Sequence, residues 1–219
     1  GATDAEYLAS GQRDVQEMLD ICNRANVQVD TLGNILEFGC ADGRMLRWLR
    51  HLASDREVGG TDIHAGRIHW CKQNLGPPFH FITHTTVPHL PFEDRHFGFV
   101  YAGSVFTHIE DLADAWFAEL RRVLRPGGKL FVTVHLKNDI ALLRTKYRDS
   151  GLAELLRSHP EYERFIATDF AMFTIGRSSN SFVFYDLDYL RTNLTPMYRV
   201  LSVTEGVRSY QNALLVERV

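Results

Sequence analysis

The chain is poor in the features that mark special classes of protein. Only three of its 219 residues are cysteine, Cys22, Cys40 and Cys71. The number is odd and no Cys-x-x-Cys pair occurs, which argues against a disulfide framework and for reduced thiols in a cytoplasm. There is no uninterrupted apolar run long enough to span a membrane and no signal-peptide pattern, so a cytoplasmic chain with no membrane partner is expected. A formal net charge of -3 argues against a nucleic-acid binder that works through a broad basic surface, and no nucleic-acid partner is expected. Internal repeats and low-complexity tracts are also lacking. What is present is ordinary for a globular protein, 45% apolar and 23% charged residues, in a length that suits one domain over 1–219 with a full core.

One stretch organises the rest. Ile35-Leu36-Glu37-Phe38 is an apolar run suited to a buried strand and interrupted by one acid. It runs into a loop with small residues at Gly39, Ala41 and Gly43, followed by Met45, Leu46, Trp48, Leu49 and Leu52 at helical spacing. A strand, a tight loop of small residues and a helix let the backbone pass close to a ligand and aim a helix N-terminus at it. A nucleotide-like cofactor is the candidate ligand, and a plain turn is the alternative.

The flanking chain reads as alternating strands and helices. A helix is expected over about 4–26, with Val15, Met18, Leu19 and Cys22 on one face against the loop or the sheet; Tyr7 and Arg13 near its start read as packing and solvated positions, or as cofactor contacts. Arg56 to Asp62 reads as a second strand. Asp62 follows the loop by about twenty residues, the spacing at which an acid at a strand tip accepts hydrogen bonds from both ribose hydroxyls; it can equally cap the helix that follows, over about His64 to Asn74. Further strands are expected at Phe79 to Thr83, Phe97 to Tyr101 and Lys129 to His135, with a helix over roughly Asp111 to Leu124 and a turn at Arg125-Pro126-Gly127-Gly128. That order predicts an α/β fold with a parallel sheet, helices on both faces, and ligands at the carboxyl ends of the strands.

Beyond His135 the rhythm breaks. A segment over about 136–194 carries helix-like pieces and a mixture of aromatic and basic residues, Tyr147, Arg148, Phe165, Phe170, Phe173, Arg177, Phe182 and Tyr185. It reads as a cover over the strand ends, where acceptor specificity is set, or as an ordinary insertion packed on the core. Tyr198 to Thr204 and Gln211 to Glu217 read as two closing strands, with Glu205-Gly206 near their turn.

Five pieces together resemble the class I S-adenosylmethionine-dependent methyltransferases of small-molecule type. They are Leu36-Glu37-Phe38-Gly39-Cys40-Ala41-Asp42-Gly43-Arg44, Gly60-Thr61-Asp62, Leu90-Pro91-Phe92-Glu93-Asp94, Val100 to His108 and Arg122 to Leu130. The resemblance covers roughly Leu32 to His135. It implies a Rossmann-like, doubly wound, seven-stranded and mostly parallel sheet in which the last strand inserts antiparallel beside the fifth, with the cover lying between strands 5 and 6. It also implies that S-adenosylmethionine is the cofactor. The loop from Gly39 through Cys40 and Ala41 to Gly43 then cradles the methionine part, Glu37 orients that loop and Asp62 binds the ribose. Ile63 flanks the adenine, Thr85 or Thr86 meets its edge, and Gly103 and Ser104 lie along the methionyl side. Two positions depart from the family. Ala41 replaces the usual middle glycine, which the loop accommodates if φ is negative there. Gly98 replaces an aspartate at the strand end away from the cofactor, where a structural consequence is expected.

The implied reaction is methyl transfer to a small-molecule acceptor at oxygen or nitrogen, such as a saccharide or natural product. An already activated donor requires chiefly alignment and exclusion of water. A base is needed only for a hydroxyl or a protonated amine, and His135 and His108 are the candidates, each with a structural role as the alternative. A cofactor-binding module without catalysis is the rival function, and a nicotinamide-dependent oxidoreductase a second. No metal is expected: His80 and His84 would lie roughly 13 Å apart on a strand, and His64 and His69 fall off a common helix face. Oligomeric state is not legible.

Overall fold

The computed structural model describes residues 3–176 and 181–219; Arg177, expected in the cover, lies outside the described residues. The chain opens with α1 (Asp4–Arg24), started by a capping box in which Thr3 and Glu6 bond reciprocally. Four parallel strands follow with their connections: β1 (Ile35–Phe38), β2 (Val58–Asp62), α2 (Ala65–Asn74), β3 (His80–Thr83), β4 (Phe97–Ala102) and α3 (Ala113–Val123). The long β5 (Leu124–Leu136) lies parallel to β4. Then come α4 (Asp139–Arg144), α5 (Gly151–Arg157), α6 (Tyr162–Ala167), β6 (Met172–Ile175), β7 (Phe182–Tyr185), α7 (Leu187–Leu194), β8 (Tyr198–Val207) and β9 (Gln211–Arg218).

The seven-stranded core has the order β3-β2-β1-β4-β5-β9-β8, with β9 antiparallel to β5. Alternation explains why it is wound on both faces. In β1 and β4, Ile35, Phe99 and Tyr101 pack under α1 and α2 with Val15, Met18, Ile21 and Ile68. Leu36, Phe38, Val100 and Ala102 face Trp116, Phe117 and Leu120 of α3 on the other side.

Four local expectations change. The segment after the loop is a 3-10 helix, Leu46–Ser54. Its buried side chains, Leu46, Leu49 and Leu52, recur every three residues, the period at which side chains eclipse in that helix. The Arg125 to Gly128 turn lies inside β5 as a register shift against β4, with Gly127 at positive φ. Glu205-Gly206 is likewise an irregularity within the β8 and β9 pairing, and the turn itself is Arg208-Ser209-Tyr210. The cover also contains a hairpin, β6 with β7, whose β7 pairs in parallel with His135 and Leu136 at the far end of β5. The cover therefore prolongs the sheet on the side where the parallel strands end, and it holds a small core of its own around Leu152, Leu156, Phe165, Ile175 and Phe184.

Gly98 has the expected structural cause. A Cβ there would lie 1.4 Å from the carbonyl oxygen of Leu32, so no side chain fits beneath the chain that crosses it.

Candidate active site

Strands β1, β2, β4 and β5 all end on one edge, and the order of the sheet reverses between β1 and β4. Ligands of open α/β sheets bind in the crevice at that reversal. The loop at the end of β1 is hung on the end of β2: the backbone N–H groups of Gly39 and Cys40 donate to the Thr61 carbonyl at 2.8 and 3.0 Å, and that of Ala41 donates to Asp62 Oδ2 at 2.8 Å. Gly39, Ala41 and Gly43 all have positive φ, and Ala41 stands at 49°. The condition of negative φ for Ala41 is therefore not met, and its methyl group carries the steric cost of the left-handed region.

Below the loop, Glu37 is fully enclosed. Its Oε2 accepts from the backbone N–H of Leu46 and the hydroxyl of Tyr101, both at 3.0 Å, which ties the chain just past the loop to β4. The N-terminus of the 3-10 helix thus meets Glu37 through its first N–H. Burial raises the Glu37 carboxyl to about 8, against opposing contributions from Tyr101, Arg44, Leu46 and Arg208.

Asp62 holds two backbone groups, one per oxygen: Ala41 N on Oδ2, and His64 N on Oδ1 at 2.8 Å. The cap of α2 is His64, whose Nδ1 accepts from Arg67 N. A carboxylate offers about four acceptor positions, so Asp62 retains acceptor capacity for a diol. Beside it Ile63 is 56% exposed, and Val87 past the end of β3 is exposed as well. Thr85 and Thr86 are exposed between them. Cys40 turns its thiol down, toward Gly60 and away from the loop's outer surface, and burial pushes that thiol well above its ordinary range.

Past β4, Gly103 has no room for a side chain: a Cβ would stand 2.7 Å from Arg208 Nη1 and 3.1 Å from Met45 Sδ. Ser104, at positive φ, donates its N–H to Thr133 Oγ1 at 2.7 Å and shares its hydroxyl with the side chain of Gln211. Tyr101, Thr133, Gln211 and Arg208 escaped sequence reasoning. Tyr101 lies within a motif quoted above, but the other three reach the site from β5, β9 and the final turn, far along the chain.

The two histidines are placed differently. His135 is 1% exposed, stacked between the rings of Phe184 and Tyr210. Burial lowers it to about 4, so its 3.9 Å contact with Asp139 is no ion pair at neutral pH, and its Nδ1 lacks a hydrogen-bond partner. Asp139, raised to about 7 by burial, accepts from Asn212 Nδ2 and Leu136 N. His108 is exposed, with Nδ1 2.7 Å from the Ser181 carbonyl oxygen. A carbonyl only accepts, so Nδ1 carries the proton of the neutral ring and Nε2 keeps the lone pair. Ser181 returns a bond to the His108 carbonyl, and Tyr185 donates to the carbonyls of Phe106 and Ile109, so the hairpin is pinned to the loop after β4.

Residues 36–132 match the family model described as a methyltransferase domain. That segment, a little under half of the chain, is similar to methyltransferase domains. Among curated relatives, malonyl-[acyl-carrier protein] O-methyltransferase of Hahella chejuensis is 26% identical over 135 residues, 62% of this chain and 47% of the relative. Phthiotriol/phenolphthiotriol dimycocerosates methyltransferase 1 of Mycobacterium ulcerans is 27% identical over 142 residues, 64% of this chain and 52% of the relative. The chain thus spans about half the length of these relatives. The fold is shared with Burkholderia thailandensis 1,6-didemethyltoxoflavin-N1-methyltransferase, solved with 1,6-didemethyltoxoflavin and S-adenosylhomocysteine, at a TM-score of 0.61 and 11% identity over 96% of this chain and 79% of that one. Among the described residues no helix is long and apolar enough to cross a membrane.

Proposed function

We propose that this protein is an S-adenosylmethionine-dependent methyltransferase acting on a small-molecule acceptor, at oxygen or nitrogen. The observation that carries the reading is the loop 39–43 bonded to the Asp62 carboxylate at the crevice where the strand order reverses, within the segment that matches the methyltransferase domain. The residues fit the cofactor chemically: Asp62 has acceptor capacity left for two ribose hydroxyls, and Ile63 offers an exposed apolar surface beside it for a base.

When bound, S-adenosylmethionine supplies a methyl group already activated on a cationic sulfur. Asp62 holds the ribose and the loop together through one carboxylate, Ile63 flanks the adenine, and Thr85 or Thr86 meets its edge. Glu37 acts from beneath, through Leu46 and Tyr101, and keeps the loop in register with β4. Gly39 to Gly43 and Gly103 with Ser104 line the methionyl side with backbone, and the Cys40 thiol takes no part. The cover excludes water from the strand ends. For an acceptor that must lose a proton, His108 is the base, because Nε2 holds its free lone pair while Ser181 fixes the ring; His135, neutral and enclosed, shapes the roof. The relatives and the structural neighbour, named for malonyl, dimycocerosate and toxoflavin acceptors, favour a small or carrier-borne acceptor.

The test is a calorimetric titration of the protein with S-adenosylmethionine, S-adenosylhomocysteine and NAD in parallel. Micromolar binding of the first two, worth roughly 8 kcal/mol, with no heat from NAD is the expected outcome. Silence from both sulfur ligands would sink the proposal, and a response to NAD alone would replace it with an oxidoreductase.

A further inference from the structure

The segment that carries His108 is held by the cover, although it leaves the sheet from β4. Every carbonyl oxygen of residues 106–109 accepts a hydrogen bond from residues 181–185. Val183 N–H donates to Thr107 at 2.9 Å and the Ser181 hydroxyl to His108 at 2.7 Å. The Tyr185 hydroxyl lies 3.1 Å from the Phe106 carbonyl oxygen and 3.0 Å from that of Ile109. The His108 ring closes the set, with Nδ1 2.7 Å from the Ser181 carbonyl oxygen and Phe182 tilted against it at 5.1 Å.

The backbone on either side indicates that this path is imposed. Ser104 before the segment and Leu112 after it stand in the left-handed region, at φ 59° and 63°, and Leu112 opens α3 with no side-chain cap. A bulky residue keeps that conformation only where its surroundings fix it. Leu112 is 55% exposed, so burial of its side chain does not hold it there. Thr133 and Gln211 hold Ser104. Beyond Ser104, among the described residues, the tertiary hydrogen bonds to the segment come from 181–185.

Tyr185 is the best anchored of these donors. It pairs with Leu136 at the end of β5, and its ring is buried in the core shared with Trp116 and Phe117 of α3. Burial pushes its hydroxyl well above the ordinary range, so the group remains a donor. One hydroxyl has one hydrogen, and the carbonyls that share it bracket Thr107 and His108.

We propose that Tyr185 is the positioning residue for the base: by holding the carbonyls on both sides of His108, its hydroxyl keeps Nδ1 on the Ser181 carbonyl and leaves the lone pair on Nε2. The inference rests on the reading of His108 as the base and deepens it. Which nitrogen of a neutral imidazole carries the proton is set by the partner of the other, and a loosened segment would let the ring exchange the two. The roof and the mount of the base are then one element, since β7 also sets Phe184 against His135.

The experiment reads the tautomer directly and needs no acceptor. Protein isotope-labelled at the histidine nitrogens gives long-range proton–nitrogen spectra, in which the His108 signals are those lost in His108→Gln. Wild type is expected to hold the Nδ1–H form. In Tyr185→Phe, which keeps the ring in the core, the ratio of Nδ1–H to Nε2–H is expected to fall by roughly fivefold to tenfold, the size of one hydrogen bond, with S-adenosylhomocysteine affinity unchanged. Sucrose keeps this variant folded if the lost bond leaves it marginal. Ser181→Ala removes a neighbouring hydroxyl and keeps the carbonyl, and should shift the ratio less. An unchanged ratio in Tyr185→Phe, or a larger fall in Ser181→Ala, overturns the assignment and leaves the cofactor reading intact. Wild type in the Nε2–H form overturns both the assignment and His108 as the base. Wild type that binds no S-adenosylhomocysteine overturns the methyl-transfer reading on which both rest.

Discussion

The crevice floor and the cover are two regions built by opposite means. The loop of the floor is held by its backbone N–H groups: Thr61 and Asp62 catch those of a loop about twenty positions earlier, and Glu37 catches Leu46 nine positions on, while Tyr101, Thr133 and Gln211 tie the floor from farther along the chain. The cover is held by rings and by contacts across long separations, His135 with Phe184 and Tyr210, His108 with Ser181 and Tyr185 with Phe106. The floor presents polar backbone and one half-buried carboxylate, which suits a cofactor of constant structure. An aromatic roof with its own core can be reshaped without disturbing that floor, because few of the loop's bonds pass through it. The exception is the final turn, which serves both: Tyr210 stacks on His135 in the roof, and Arg208 reaches the floor.

The largest expected effect comes from breaking the floor at Glu37. Glu37→Ala strands the Tyr101 hydroxyl and the Leu46 N–H in a dry interior, and a loss of about 3 kcal/mol in urea unfolding is expected. Glu37→Gln keeps an acceptor in the same place and should cost less than about 1 kcal/mol. The sign of the pH dependence follows from burial. The folded protein keeps the Glu37 proton up to about 8, while the unfolded chain releases it near 4.5, so this group's contribution to stability falls as pH rises across that window. Glu37→Gln should flatten the fall; an unchanged profile would mean that Glu37 is ionised in the fold.

The cover yields the opposite sign and the next effect. His135 drops to about 4 from an ordinary 6.5, so acidification from 6.5 toward 4 protonates the unfolded chain first and costs stability, by up to about 3 kcal/mol. His135→Phe keeps a ring between Phe184 and Tyr210 and should lose that acid sensitivity, read as the change in Tm between pH 6.5 and pH 4.5. A variant as acid-sensitive as wild type would place the sensitivity on other groups. Turnover that disappears in this variant, with cofactor affinity and Tm at pH 7 unchanged, would restore His135 as the base.

The smallest effect sharpens the floor. Ala41→Gly removes the methyl group from a left-handed residue and should raise stability by up to about 1 kcal/mol, the steric relief being partly offset by the freer unfolded chain. Thermal unfolding of the two proteins decides it, and a loss of stability would show that the methyl group packs usefully in the loop.

The floor was legible in the sequence because its determinants are local. A strand, a loop of small residues and an acid at the next strand tip are each written within a few positions, and Glu37, Gly39 to Gly43, Asp62, Ile63 and Gly103 all come to the β1, β2 and β4 ends. The conformation of Ala41 was not legible, since Asp62 fixes it by taking its N–H. Nor was the 3-10 helix: the same leucines fit periods of three and nearly four, and Arg47 folds back onto the Asp42 and Gly43 carbonyls.

By itself, then, the sequence determined the parallel α/β alternation, the place of the crevice and the acid that closes its loop, because buried strands, turns and strand tips are specified by neighbouring residues. Only the tertiary structure decided that β6 and β7 extend the sheet beyond β5, that His108 keeps a free lone pair while His135 is sealed, and that Arg208 stands against Gly103. Those outcomes depend on which distant surfaces pack and on which charges lose water, and burial is a property of the assembled fold that no local pattern encodes.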